Sequence, residues 1–212
     1  AALTALALLR APRQRGLGAS HLLLLGLLAL VFGVALVQEA RHALLGEDWV
    51  FALGLAPLLF LAATTWRLPA LGAFPLAREF PAYAPFWFAL AGVALAAAWV
   101  QSLALSGDTR PLPYLPLLNP AELLQLLGVA LATRLALRRK FKPAPALAAG
   151  AMFVVLSLAG LRAVHIYSGL PWNPWILDHG VAQTTLTVLW SLLGVAAWVL
   201  GSRRRHWSLW LT

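Results

Sequence analysis

The sequence predicts an all-α membrane protein, a polytopic bundle of transmembrane helices. The first observation is composition: of the 212 residues, 61% are hydrophobic and 11% are charged, whereas soluble domains average about 45–50% apolar and about 25% charged residues. The second is the length of the apolar runs, which approach the ~20 residues that a helix needs to cross a bilayer. The third is that connecting segments rich in Lys and Arg alternate with segments poor in them. Several helices therefore span lipid.

Six full spans are predicted along the chain. They cover about residues 20–37, 49–66, 85–105, 120–137, 145–166 and 181–201. Residues 1–9 are apolar, lack a leading basic region and are followed by arginines, which is typical of the end of a preceding span rather than of a signal peptide. A new apolar segment begins after Arg205. We therefore expect residues 1–212 to be one transmembrane region with partial spans at each end, an excerpt of a longer chain.

The Lys and Arg residues orient the predicted spans. All of them except Arg41, Arg110 and Arg162 fall in alternate connecting segments. Those segments are residues 10–15, 67–78, 134–142 and 203–205. The positive-inside rule places them in the cytoplasm. The loops near 38–48, 106–119 and 167–180 are then external.

The composition also excludes several kinds of site. The chain has no cysteine, which excludes disulfides, thiolate metal sites and thiol nucleophiles. The formal net charge of +9 reflects topology rather than nucleic-acid binding, because the basic residues are scattered over short turns without an aromatic stacking platform. His165 and His179 match no known metal-ligand spacing. We expect no nucleic acid, no metal and no cofactor.

Residues 162–175, RAVHIYSGLPWNPW, concentrate polar and aromatic side chains at the external end of the fifth span. Arg162 and His165 are three residues apart and share a helix face. A buried arginine in a span is costly unless it is paired. The first candidate partner is Asp178 and the second is Glu122. The alternative is that Arg162 extends to water or phosphate at the interface.

The fourth span begins with a recognisable helix start. Asn119 suits the N-cap, Pro120 the first helical position and Glu122 the first turn. Gln125 lies on nearly the same face as Glu122. Because carboxylates facing lipid are disfavoured, this polar stripe should point into the bundle.

The remaining polar and small residues have simpler interpretations. Asp178 could cap the sixth span, and the proline-bounded Trp172 and Trp175 could anchor in lipid headgroups or stack on a sugar. The charged residues of the first external loop are expected to form a solvated rim; they are Glu39, Arg41, His42, Glu47 and Asp48. Close helix packing is expected at the small residues Gly92, Gly128 and Gly150.

Together these positions predict one polar cluster at the external leaflet. Its candidate residues are Asn119, Glu122, Gln125, Arg162, His165, Trp172, Asp178, His179 and Gln183. One hypothesis is that the cluster binds or processes an envelope component such as a lipid-linked sugar. The other is a structural scaffold or accessory subunit that docks another membrane protein. Transport is less favoured because the spans carry only a partial polar stripe. No reaction can be assigned, so whether the protein is an enzyme stays open.

Three motifs carry a resemblance to a known family. They are the helix start at Asn119 and Pro120, the turn with Arg162, His165, Gly169, Pro171 and Trp172, and the helix with Gln183, Trp190 and Ser191. Over residues 110–212 the chain resembles large bacterial polytopic inner-membrane proteins classed as a predicted membrane-protein domain of unknown function. Ile166 departs from the pattern, which has a second polar or histidine residue there. The resemblance implies a multi-pass protein of the bacterial inner membrane, with the external loops periplasmic and membrane lipids as partners.

Overall fold

The computed structural model describes residues 17–138 and 140–204. This part of the chain is helical and contains no strand. The chain divides into two compact units, Ala1–Ala104 and Leu105–Thr212. The predicted all-α class is confirmed. The partial spans predicted at the two ends lie outside the described residues.

Each predicted span coincides with a helix. Unit 1 contains α1 (Leu17–His42), α2 (Glu47–Arg67), the short α3 (Pro69–Gly72) and α4 (Phe80–Ser102). Unit 2 contains α5 (Pro120–Arg138), α6 (Ala144–Ser168), a 3-10 helix (Pro174–Asp178) and α7 (Gly180–Arg204). Six helices in the described ranges are long and apolar enough to cross a membrane. They are all of these except α3 and the 3-10 helix.

The two largest boundary differences are equal: α1 ends five residues after its predicted span, and α4 begins five residues before its predicted span. Pro81 lies in the first turn of α4, where a missing N–H leaves no helix hydrogen bond unmade. Pro85 lies inside the helix rather than at its start. The predicted span began at Pro85, whereas the helix continues through this residue.

Helices α1 and α2 pack closely at two glycines. A Cβ added at Gly33 would lie 2.7 Å from the Gly54 carbonyl oxygen, and one added at Gly54 would lie 2.9 Å from Val37 Cγ2. Small residues allow such close backbone approach in membranes. At Gly92 and Gly150, where close packing was also predicted, an added Cβ meets no described atom within 4 Å, so neither glycine packs closely against a described helix.

The rest of the unit 1 core is aromatic. Its buried cluster consists of Leu25, Ala73, Phe80, Tyr83 and Trp87. Trp87 Nε1 donates a hydrogen bond to Thr65 Oγ1 at 2.9 Å. His21 hydrogen-bonds the Tyr83 hydroxyl through Nδ1, and its Nε2 lies 3.3 Å from the Phe74 carbonyl oxygen. The segment between α3 and α4 is therefore held against α1 and α4.

The predicted solvated rim is only partly correct. Glu39, Arg41, His42 and Glu47 are exposed. Asp48 is instead fully buried in the first turn of α2, where the helix dipole favours a carboxylate. The sequence did not reveal this because neighbouring positions of a helix start point in different directions.

The outer helix faces are apolar and uncovered. At most 22% of each apolar window is buried inside the protein. Leu23, Phe86 and Val93 are among the exposed side chains. Such a surface is stable only in lipid or against other membrane helices.

Candidate functional site

The site in unit 2 begins with the start of α5. Asn119 Oδ1 accepts a hydrogen bond from the Glu122 backbone N–H at 2.8 Å, and Pro120 is the first helical residue. The structure thus confirms the predicted helix start. Asn119 is 2% exposed, and its Nδ2 has no hydrogen-bond partner among the described residues.

The Glu122 carboxylate is fully buried and accepts hydrogen bonds from three groups. The Tyr114 hydroxyl lies 2.8 Å from Oε1, Arg162 Nη1 lies 3.3 Å from the same oxygen, and the Leu117 backbone N–H donates to Oε2. Leu117 has a left-handed backbone, with φ of 67°, a conformation that is strained for leucine. The carboxylate therefore also fixes the loop before α5.

The Arg162 side chain is 0% exposed and bonds to protein groups. Its Nε donates to the Leu105 carbonyl oxygen at 2.9 Å, and Nη1 lies 3.5 Å from Gln125 Oε1 as well as near Glu122. Its Cζ lies 6.0 Å from the centre of the Trp172 ring, at the limit of a cation–π contact. The first predicted partner, Asp178, is wrong; the second, Glu122, is correct. We call Tyr114, Asn119, Glu122, Gln125 and Arg162 the Arg162 cluster.

The loop between residues 105 and 119 closes over this cluster. Gly107 has φ of +90°, and a Cβ added there would lie 3.0 Å from Tyr114 Cε2 and 3.4 Å from Arg162 Cβ. Only glycine combines that backbone with so close an approach. The Tyr167 hydroxyl at the end of α6 donates to the Tyr114 carbonyl oxygen at 2.6 Å, which ties the loop to α6.

Two predicted residues lie beside the cluster. His165 is half-buried and its Nδ1 donates to the Leu170 carbonyl oxygen. Its ring centre is 5.8 Å from that of Trp172. Because Trp172 also faces Arg162, the tryptophan connects the histidine to the cluster. Gly169, in a left-handed conformation, ends α6 and starts this turn.

The other three predicted residues lie at the surface. Asp178, His179 and Gln183 are exposed. Asp178 ends the 3-10 helix, while α7 begins only at Gly180, so the prediction that Asp178 caps α7 is wrong. Gln183 Nε2 donates to the Leu177 carbonyl oxygen at 3.0 Å. The predicted cluster thus divides into a buried part and an exposed turn.

An exposed ion pair in the same loop contrasts with Arg162. Arg110 Nη2 lies 2.7 Å from Asp108 Oδ2, and the Arg110 side chain is 79% exposed. The hydrogen bonds that Arg110 donates to the Asp108 carboxylate, together with the negative charge of that carboxylate, raise the pKa of Arg110. No group of three His, Asp or Glu side chains that could hold a metal ion occurs in the described ranges.

Tyr114 and the backbone groups of Leu105 and Leu117 belong to the site but were not predicted from the sequence. Tyr114 stands between prolines in LPYLP, eight residues before Glu122. The sequence feature that could have indicated its role is a tyrosine hydroxyl in an otherwise apolar loop, shortly before a carboxylate expected to be buried. The roles of Leu105 and Leu117 depend on the path of the backbone, which side-chain patterns do not reveal.

Comparison with known families identifies the chain. The family model described as "Predicted membrane protein (DUF2339)" matches residues 1–212. The chain belongs to this family. The match confirms the resemblance and extends it from residues 110–212 to the whole sequence. No curated protein and no solved structure matches the chain. The family description gives membrane residence and no activity.

Proposed function

We propose that residues 105–204 form a structural scaffold in the membrane, in which the Arg162 cluster joins α5, α6 and the 105–119 loop. The observation that carries this proposal is the complete burial of Arg162 against Glu122 and the Leu105 carbonyl. An arginine that bound a phosphate of a lipid-linked sugar would present its donors to an open cleft. This arginine instead directs them to its own chain.

The polar bonds of this cluster suit a lipid environment. Apolar side chains gain little by leaving lipid for another helix, so close packing and hydrogen bonds hold membrane helices together. Trp190 Nε1 donates to Ser157 Oγ at 3.0 Å and provides a similar link between α7 and α6. The scaffold would present its apolar faces to lipid and to other membrane helices.

The proposed setting is the inner membrane of a bacterium, with the Arg162 cluster toward the periplasm. The distribution of Lys and Arg supports this orientation. A transport role has less support, since the buried Glu122 and Arg162 bond to each other and to the loop rather than forming a polar path.

A double variant that lacks both buried charges tests the scaffold proposal. In the full-length protein, Glu122→Gln combined with Arg162→Met removes both charges and keeps an amide acceptor for Tyr114. Replacing a buried ion pair by neutral groups is often nearly neutral for stability. The double variant should therefore insert, fold and complement a deletion strain. If it folds as the wild type does but fails to complement, the charges have a chemical role and the scaffold proposal is wrong.

A second candidate function is binding of a lipid-linked saccharide at the exposed turn. Side chains three residues apart in a 3-10 helix lie on the same side, so Trp175 and Asp178 occupy one side of Pro174–Asp178. Trp175 is 71% exposed. An indole face with a neighbouring carboxylate can stack on a sugar ring and accept its hydroxyl hydrogen bonds.

Binding to a polyprenyl-phosphate-linked disaccharide in nanodiscs tests this second function. The full-length wild type should bind it, and Trp175→Ala with Asp178→Asn should abolish binding while leaving thermal stability unchanged. Trp198→Ala, which removes an exposed indole from α7, is the matched control and should bind normally. Equal binding by all three proteins would rule out the turn as the saccharide site.

A further inference from the structure

A groove between α5 and α6 lies apart from the Arg162 cluster. Its volume is about 770 Å³, within the ~300–1,000 Å³ typical of small-molecule sites. Its apolar walls include Leu126, Val129 and Ala130 of α5 and Ala148, Ala149 and Met152 of α6. The groove is largely open, and its α6 wall includes the small residues Ala148 and Ala149.

Two arginines line the groove at the end of α5. Arg134 and Arg138 are four residues apart, so they lie on one helix face. Both are exposed, and neither forms an ion pair with any described residue. Like charges at this spacing repel each other. An anion between them would remove that repulsion.

Arg134 lies deeper than its neighbour. It is one turn, about 6 Å, inside the end of the helix. Placing a guanidinium group in the acyl region of a bilayer costs free energy unless the group reaches an anion or the membrane interface. Lys140 and Lys142 follow in the connector to α6 and are also exposed. The groove therefore has positive charge at the end of the membrane-spanning helix α5, where phospholipid phosphates are expected.

We propose that this groove binds an anionic phospholipid, with an acyl chain along the apolar walls and the headgroup phosphate on Arg134 and Arg138. Basic pockets between transmembrane helices are typical sites for such lipids. Arginine binds phosphate oxygens with paired hydrogen bonds. A protein helix in the groove would have to bring its own carboxylates to the same two arginines, whereas the bilayer supplies phosphates at this depth.

Native mass spectrometry of the full-length, delipidated protein tests the proposal. The wild type should bind phosphatidylglycerol in preference to phosphatidylcholine with the same acyl chains. Arg134→Gln with Arg138→Gln should weaken phosphatidylglycerol binding about thirtyfold. Arg67→Gln with Arg78→Gln is the matched control, because it removes two arginines from a different basic connector, and should bind as the wild type does.

A second variant tests the acyl part of the site without changing charge. Ala149→Phe should fill the groove and reduce phosphatidylglycerol binding, while soluble glycerol phosphate should not compete with the lipid in the wild type. Retained binding in Ala149→Phe, or competition by glycerol phosphate, would mean that only a headgroup binds. Equal binding of both lipids by the wild type, or a protein helix seated in the groove in a density map, would also overturn the proposal.

Discussion

The two units use similar apolar helices but hold them together differently. In unit 1, α1 and α2 meet at Gly33 and Gly54, and the neighbouring core is aromatic. In unit 2, α5 and α6 meet through a buried ion pair and a loop bonded to it. Because apolar burial contributes little between helices in lipid, association depends on close packing or on polar bonds. Unit 1 relies mainly on the first and unit 2 on the second.

The largest effect is expected where a buried charge loses its partner. Arg162→Met leaves the buried Glu122 carboxyl group without its ion-pair partner and should lower the free energy of unfolding by about 3–5 kcal/mol. Unfolding titrations with a denaturing detergent measure this difference. Arg110→Met removes an exposed arginine from the neighbouring loop and should leave stability unchanged. Similar stabilities for the two variants would contradict the claim that the buried Glu122–Arg162 pair stabilises the fold.

The loop over the cluster should be the next most sensitive feature. In Gly107→Ala, the alanine would have to adopt the left-handed backbone of Gly107, and its Cβ would lie too close to Tyr114. This substitution should therefore destabilise the protein by about 2–4 kcal/mol. Gly169 has φ of +69° but nothing within 4 Å of an added Cβ. Gly169→Ala should therefore lose only the backbone contribution, about 1–2 kcal/mol. Thermal unfolding of the two variants measures the difference, and equal losses would mean that the loop does not pack as described.

The glycine contact of unit 1 should respond to a single methyl group. Gly33→Ala places a Cβ against the Gly54 carbonyl and should destabilise by about 1–3 kcal/mol. Gly26, on the same helix, has open space around it, and Gly26→Ala should be neutral or slightly stabilising because alanine favours helix. The same unfolding titration checks both variants. A stabilising Gly33→Ala would show that α1 and α2 are not in close contact.

The smallest effect is expected for one polar bond of the unit 1 core, between Trp87 and Thr65. Thr65→Val keeps the side-chain shape but removes the acceptor for Trp87 Nε1, and should destabilise by about 1 kcal/mol. Tryptophan fluorescence of the variant should also shift as the indole loses its partner. Thr64→Val, in which the lost hydroxyl bonds only to the preceding turn, is the control and should change stability less.

The sequence predicted the elements of both units better than their contacts. Hydropathy and basic residues located six helices, since lipid dictates the length and composition of a span. The cap at Asn119 was predicted because it depends on neighbours in the sequence. The choice between Glu122 and Asp178 for Arg162 was not settled correctly, because it depends on helix rotation and on where α7 begins.

Unit 1 shows the same limit in its packing. Gly33 and Gly92 are similar in sequence, each within an apolar helix, yet only Gly33 faces a neighbouring backbone. Small residues indicate that a helix can approach another closely, but the approach itself requires a partner at that depth. The burial of Asp48 also depends on which way the start of α2 faces.

A double-mutant cycle between Glu122 and Arg162 tests the central claim most directly. The free energy of unfolding would be measured for Glu122→Gln, Arg162→Met and the double variant in the full-length protein. The structure predicts strong coupling, with the double variant losing clearly less stability than the sum of the two single losses, by about 2 kcal/mol or more. Additive losses would show that the two side chains do not form a buried pair and would contradict the account of unit 2.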